Sequence, residues 1–155
     1  MTQQQTPPPA LTEMKLTPEM KQSINNAFTS GMPIMVAYVD EEGQPSLSFR
    51  GSTQAYSDNQ LAIWVRNPEG GLLKSLQKNP RVTLMFRNPG PEGRAMMQFR
   101  GKARVDNSDQ VRDTVYNNAP EPERNADRDK KGIPIIIDLE RVDGFAPGAR
   151  IAMRK

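Results

Sequence analysis

"LAIWVRNPEGGLLKSLQKNPRVTLMF", residues Leu61 to Phe86, decides how the rest of the chain is read. It opens with a period of two, placing Leu61, Ile63 and Val65 on one side and Ala62, Trp64 and Arg66 on the other, as a strand requires. It then passes through Gly70-Gly71 into a narrow helical stripe of Leu72, Leu73 and Leu76, which Asn79-Pro80 stops. "RVTLMFRN" resumes the alternation, with Val82, Leu84 and Phe86 inward and Thr83, Met85 and Arg87 outward. A strand, a short helix and another strand in so little chain describe a sheet with a helix at its seam.

The flanks extend that sheet. "PIMVAYVD" is an apolar, β-branched strand, and "EEGQ" is turn chemistry around Gly43, with Glu41 and Glu42 solvated at its tip. "PSLSFRG" returns with Leu47 and Phe49 on one face and Ser46, Ser48 and Arg50 on the other, completing a hairpin. Upstream, Thr17-Pro18-Glu19 is a helix start: a capping hydroxyl, a proline in the first turn and an acid near it. Met20, Ile24, Ala27 and Phe28 share one face of that helix, and Gly31 closes it. Downstream, "NPGPEG" turns into the strand "RAMMQFRGKARV", whose Gly101 marks a bulge or bend. A helix around Asp109 to Tyr116 follows, then the polar loop "NNAPEPERNADRDKKG" with room for one helical turn, then the strand "IPIIIDLERVDGF". The fold expected is mainly β with peripheral α: a six-stranded antiparallel barrel with short helices at the seams. Residues 1–12, polar and rich in proline, read as a disordered leader, and 13–155 as one domain.

Composition narrows the chemistry. The 155 residues contain neither cysteine nor histidine, so thiolate nucleophiles, Ser-His-Asp triads, imidazole relays and thiolate or imidazole metal sites are excluded. Carboxylate, Lys or Tyr chemistry remains, or chemistry carried by a bound cofactor that the protein seats and orients. A net charge of +3 from 21 basic and 18 acidic residues, interspersed along the chain, argues against a nucleic-acid partner. The longest apolar runs, "IPIII" and "IMVAYV", are far too short to cross a bilayer, and the start has no signal-peptide pattern. A cytoplasmic protein without a membrane partner is expected.

The opening stretch also carries the candidate site. Trp64 and Arg66 face the same way at the end of their strand, and the next helix begins after Gly70-Gly71 with free N–H groups and Lys74 one turn in. Arg50, beside Ser48 and before Gly51-Ser52, reaches the same point if its strand is a neighbour. Two guanidinium groups, hydroxyls and a helix start suit a phosphate. The plainer alternative stays open: solvated cations, a Gly-Gly turn, and Trp64 as core or interface.

The order of "MPIMVAYVDEEGQPSLSFRG", "LAIWVRNPEGGLLKSLQKNPRVTLMFRNP" and "MMQFRGKARV" resembles the pyridoxamine 5'-phosphate oxidase-like, flavin-binding split-barrel family, from about Met32 to Val105. The resemblance implies a six-stranded split barrel, a homodimer, and FMN or a deazaflavin in a groove between the subunits. The family's second-strand basic pair, five residues apart, falls on Ser48 and Thr53, with Arg50 as the substitute cation. Its aromatic-hydroxyl pair falls on Trp64-Val65, and its Ser-Arg-Lys helix start on Gly70-Gly71-Leu72, leaving Arg66 and Lys74 as the nearest cations. Gln98 and Arg100 lie on the strand through which a partner subunit reaches the cofactor. Without histidine, and with the ending "DGFAPGARIAMRK", the chain departs from the vitamin B6 oxidases and from the haem-degrading relatives. The expectation is a flavin-dependent oxidoreductase acting on a small organic substrate. In it Arg50, Ser52, Arg66, the Gly70-Gly71 amides and Lys74 hold the phosphate tail, Gly51 is a further cofactor-binding residue, and Trp64 lines the ring pocket. A non-catalytic flavin-binding protein is the alternative, and single-strand nucleic-acid binding the least supported reading.

Overall fold

In a computed structural model that describes residues 6–155, the chain is a split β-barrel: one nine-stranded sheet with four helices at its edges. The strands are β1 (Ala10–Glu13), β2 (Met35–Val39), β3 (Pro45–Phe49), β4 (Gln54–Ser57), β5 (Gln60–Val65), β6 (Arg81–Asn88), β7 (Ala95–Val105), β8 (Ile133–Ala146) and β9 (Ala149–Arg154). The helices are α1 (Pro18–Asn26), α2 (Gly71–Lys78), α3 (Asp109–Asn118) and α4 (Glu121–Asn125). Every strand pair is antiparallel except β1 with β9.

Nine strands replace the expected six. The additional strands are β1, β4 and β9, and each has a reason for escaping a pattern-based reading. β1 begins within the expected leader, yet from Ala10 onward the chain is paired with β9, with Arg150 N–H donating to Pro9 O. Residues 1–5 of that leader lie outside the described residues. β4 buries a glutamine where a strand usually shows an apolar residue, and β9 buries only Ile151 and Met153.

β8 holds the architecture together. One side of it pairs with β7 along its length; the other pairs with β5 from Ile133 to Asp138 and with β9 from Arg141 to Ala146. Its apolar run Ile135-Ile136-Ile137 is buried on both faces, so it reads as a continuous hydrophobic stretch rather than an alternation. At the midpoint the β7–β8 register slips between Arg100 and Gly101, the expected bulge. A Cβ on Gly101 would overlap the Asp138 carbonyl, so only glycine permits that approach.

There are two cores. The barrel interior is filled by Leu61, Ile63, Val65, Leu84, Phe86, Met97, Phe99 and Ile137, plugged from the ends by Ile24 of α1 and by Leu72 and Leu76 of α2. The Thr17 cap, the Pro18 start and the α2 leucine stripe behave as expected, with Met20 N–H donating to Thr17 Oγ1 at 3.2 Å. A smaller core lies on the other face of β5, where Ala62 and Trp64 meet Val111, Val115 and Tyr116 of α3 and Ile136 of β8. Trp64 is only 3% exposed, and its ring meets Tyr116 edge-on with centroids 5.1 Å apart. On β3, by contrast, Leu47 and Phe49 are 66% and 63% exposed, so the apolar face of that strand has no cover among the described residues.

Candidate functional site

The hairpin strand β3 ends at Phe49, and the chain turns through Arg50-Gly51-Ser52-Thr53 before β4. Thr53 Oγ1 donates to Arg50 O at 2.7 Å and Arg50 Nε donates to Ser48 Oγ at 3.1 Å, which fixes the turn and the base of the Arg50 side chain. Ser52 is almost wholly buried and its hydroxyl is spent on the backbone of β5: Oγ donates to Trp64 O at 2.9 Å and accepts from Trp64 N–H at 3.0 Å. It acts as a missing rung of the sheet rather than as a free phosphate donor.

This turn, the end of β5 and the α4 segment enclose a cleft of about 410 Å³ lined by Arg50, Gly51, Ser52, Trp64, Arg66 and Asn67 on one side and by Glu123, Asp127 and Lys131 on the other, with Phe49 at its edge. Five of the expected site residues, Arg50, Gly51, Ser52, Trp64 and Arg66, are therefore brought together.

The α4 wall is held to the barrel through Trp64. Asp127 accepts from Trp64 Nε1 at 2.8 Å, from Gly132 N–H at 2.8 Å and from Lys131 N–H at 3.0 Å. Burial opposes ionisation of this carboxyl, but the three N–H donors and the charge of Arg66 outweigh it and hold the group below the usual carboxylate range. Arg112 lies over the Trp64 ring at 5.1 Å and donates to Gly132 O and Lys130 O, both at 2.9 Å. Tyr116 Oη shares its hydrogen between Arg124 O and Asp127 O, each at 3.1 Å. Trp64 is thus an anchor whose edge reaches the cleft, not a ring plate lining it.

The second half of the expected site is elsewhere. Gly71 and Lys74 line a separate depression with Asp40, Glu41, Glu42 and Glu69. The β2–β3 hairpin tip keeps Glu41 and Glu42 exposed, as expected, and lies beside α2, with Lys78 Nζ donating to Glu41 O at 2.7 Å. An anion approaching the start of α2 meets four carboxylates there, so the Gly70-Gly71 amides and Lys74 do not join Arg50 and Arg66 in one phosphate seat. Val65 and Leu72 point into the barrel core. Gln98 and Arg100 sit mid-strand on β7, opposite Met85 and Thr83 of β6, and line neither depression; Gln98 is half-buried and Arg100 exposed.

Glu123, Asp127, Lys131 and Asn67 are cleft residues that sequence reasoning passed over. One signal was available: a buried tryptophan N–H needs an acceptor, and "RNADRDKKG" is one of the acid-bearing stretches that could supply it.

The architecture and the cationic cleft define the class: a split barrel of the flavin-binding type. The family profile described as pyridoxamine 5'-phosphate oxidase matches residues 16–138, and the chain belongs to that family. Group A Streptococcus HupZ superposes with a TM-score of 0.65 at 23% identity, over 86% of this chain and 97% of that one. An FMN-binding protein from Syntrophomonas wolfei superposes with a TM-score of 0.61 at 6% identity, over 81% and 86%. A general stress protein 26-related protein of the pyridoxinephosphate oxidase family, from Clostridium acetobutylicum, gives 0.59 at 12%, over 89% and 96%. At these identities the likeness is one of fold. No curated protein matches the chain. No helix among the described residues is long and apolar enough to cross a membrane.

Proposed function

We propose that the chain binds FMN, or a deazaflavin, in this cleft and uses it as an oxidoreductase on a small organic substrate. One observation carries the reading: Arg50 and Arg66, just beyond the ends of β3 and β5, converge with Gly51 and Asn67 on a single cleft. Its cations, Arg50, Arg66 and Lys131, outnumber its carboxylates, Glu123 and Asp127, and Asp127 is turned onto three N–H donors. That donor set fits a phosphate or another anionic tail. Bound flavin would supply hydride chemistry. The chain's own residues would bind and orient it: Arg50 and Arg66 at the tail, and the Trp64-anchored wall excluding water.

The cleft opens beside the uncovered face of β3, and Phe49 belongs to both. A homodimer covering Leu47 and Phe49 would complete the site with a second copy, consistent with a cofactor held between subunits. Phe49→Asp should yield a monomer with weakened flavin retention.

The reading is tested by titrating the protein with FMN and with a deazaflavin, following quenching of flavin fluorescence. Saturable association is expected with one of them. Absence of saturation with both would overturn it. The second reading, a carrier without turnover, draws on the engagement of both cleft carboxylates, which leaves neither free to move a proton. Anaerobic NADPH or reduced deazaflavin separates the two: bound flavin is bleached or reoxidised in an enzyme and unchanged in a carrier.

A further inference from the structure

The cleft contains an anion of its own. The single turn of α4 projects Glu123 across to the β3–β4 turn, where its Oε2 lies 3.7 Å from Arg66 Nε. On its other side the same carboxylate is pressed against the turn backbone: a Cβ placed on Gly51 would lie 2.5 Å from Glu123 Oε1 and 2.7 Å from the ring of Phe28. The Glu123 side chain is 16% exposed, whereas that of Arg66 is 53% exposed. The carboxylate is therefore the sheltered partner, and the guanidinium is the part an incoming ligand sees first. It is the one ion pair recorded for Arg66 among the described residues. The backbone beneath Glu123 is held from both sides, by Tyr116 Oη donating to Arg124 O and by Arg124 donating to Ala119 O.

We infer that Glu123 is a resident carboxylate in the anion seat of this cleft, and that a phosphate-bearing ligand enters only by displacing it from Arg66. Glu123 thereby determines how strongly the site separates phosphorylated from unphosphorylated ligands. The physical reason is a contest of two like charges for one guanidinium at short range in a partly sheltered site, where Coulomb terms are stronger than in bulk water. Asp127 does not compete in this way, because its oxygens are already taken by Trp64 and two backbone N–H groups. The inference rests on the flavin reading for its probes; the contest itself is visible to inorganic phosphate.

The experiment compares FMN with riboflavin, which differ by the phosphate alone, on the full chain and on Glu123→Gln, a variant of nearly unchanged shape. Glu123→Gln should bind FMN about tenfold tighter while riboflavin affinity changes less than about twofold. Placed in an Arg66→Ala background, Glu123→Gln should lose most of that gain, because the seat it vacates no longer holds its cation. Inorganic phosphate should raise the melting temperature of Glu123→Gln more than that of the parent chain, a readout independent of flavin. If both flavins bind and their affinity ratio is unmoved by Glu123→Gln, this inference is overturned and the flavin reading stands. If neither flavin binds and phosphate shifts both proteins equally, both fall.

Discussion

The cleft beside Gly51 and the depression at the start of α2 are built from the same materials, a glycine and nearby cations, yet their surroundings set them apart. At Gly51, Arg50, Arg66 and Lys131 converge, and the two carboxylates present are already engaged. At Gly71, Lys74 stands among Asp40, Glu41, Glu42 and Glu69. A helix start attracts anions only as far as its neighbours allow: its dipole is worth roughly 0.3–1 kcal/mol at an exposed end, which several adjacent carboxylates outweigh. Local sequence chemistry proposes an anion site, and the tertiary neighbours decide it.

The largest expected effect concerns the wall that only the cleft possesses. Trp64→Ala empties the smaller core and removes the Asp127 acceptor contact and the platform beneath Arg112, and should cost about 3–5 kcal/mol of unfolding free energy. Urea unfolding followed by far-UV circular dichroism measures it; a loss below about 1 kcal/mol would mean the wall stands without its anchor. Next in size, Arg50→Ala with Arg66→Ala should weaken FMN binding by roughly 30-fold, and Lys74→Ala by less than about twofold, read by fluorescence titration. Equal losses from both would erase the distinction between the two sites.

The smallest effect is one of pH. Asp127 has a folded-state pKa below its unfolded one, so its contribution is fully present above the unfolded value of about 3.9 and is lost as pH falls through the folded value. Asp127→Asn should lower the melting temperature near neutral pH and flatten its decline below about pH 4 relative to the parent chain. Parallel curves for the two proteins would show that the carboxylate charge is not what ties the wall down.

Much of the barrel was legible because alternation is local. "LAIWVRN", "RVTLMFRN" and "RAMMQFRGKARV" announce β5, β6 and β7, and Gly101 announces the bulge. β4 was not legible because its buried Gln54 earns its place by donating to Ser52 O and Val115 O, a partner 61 positions away. The cleft was half legible for a related reason. Arg50 and Arg66 directly follow strands whose patterns can be read, whereas Glu123, Asp127 and Lys131 sit in a polar stretch with no period. What places that stretch is a set of contacts to Trp64, Gly51 and Arg66, and no window of neighbouring residues encodes them. The acidic hairpin tip over α2 was hidden likewise, since Glu41 and Lys78 are 37 residues apart.

The doubly paired strand β8 sets a timetable for the molecule. The edges of β5 and β7 that face β8 have no ladder until Ile133–Ala146 exists, so during synthesis these strands must wait, with apolar edges open, for roughly the last seventh of the 155 residues to emerge. Acquisition of structure should therefore come late and all at once, and a ribosome stalled before Ile133 should carry a nascent chain that proteases cut readily.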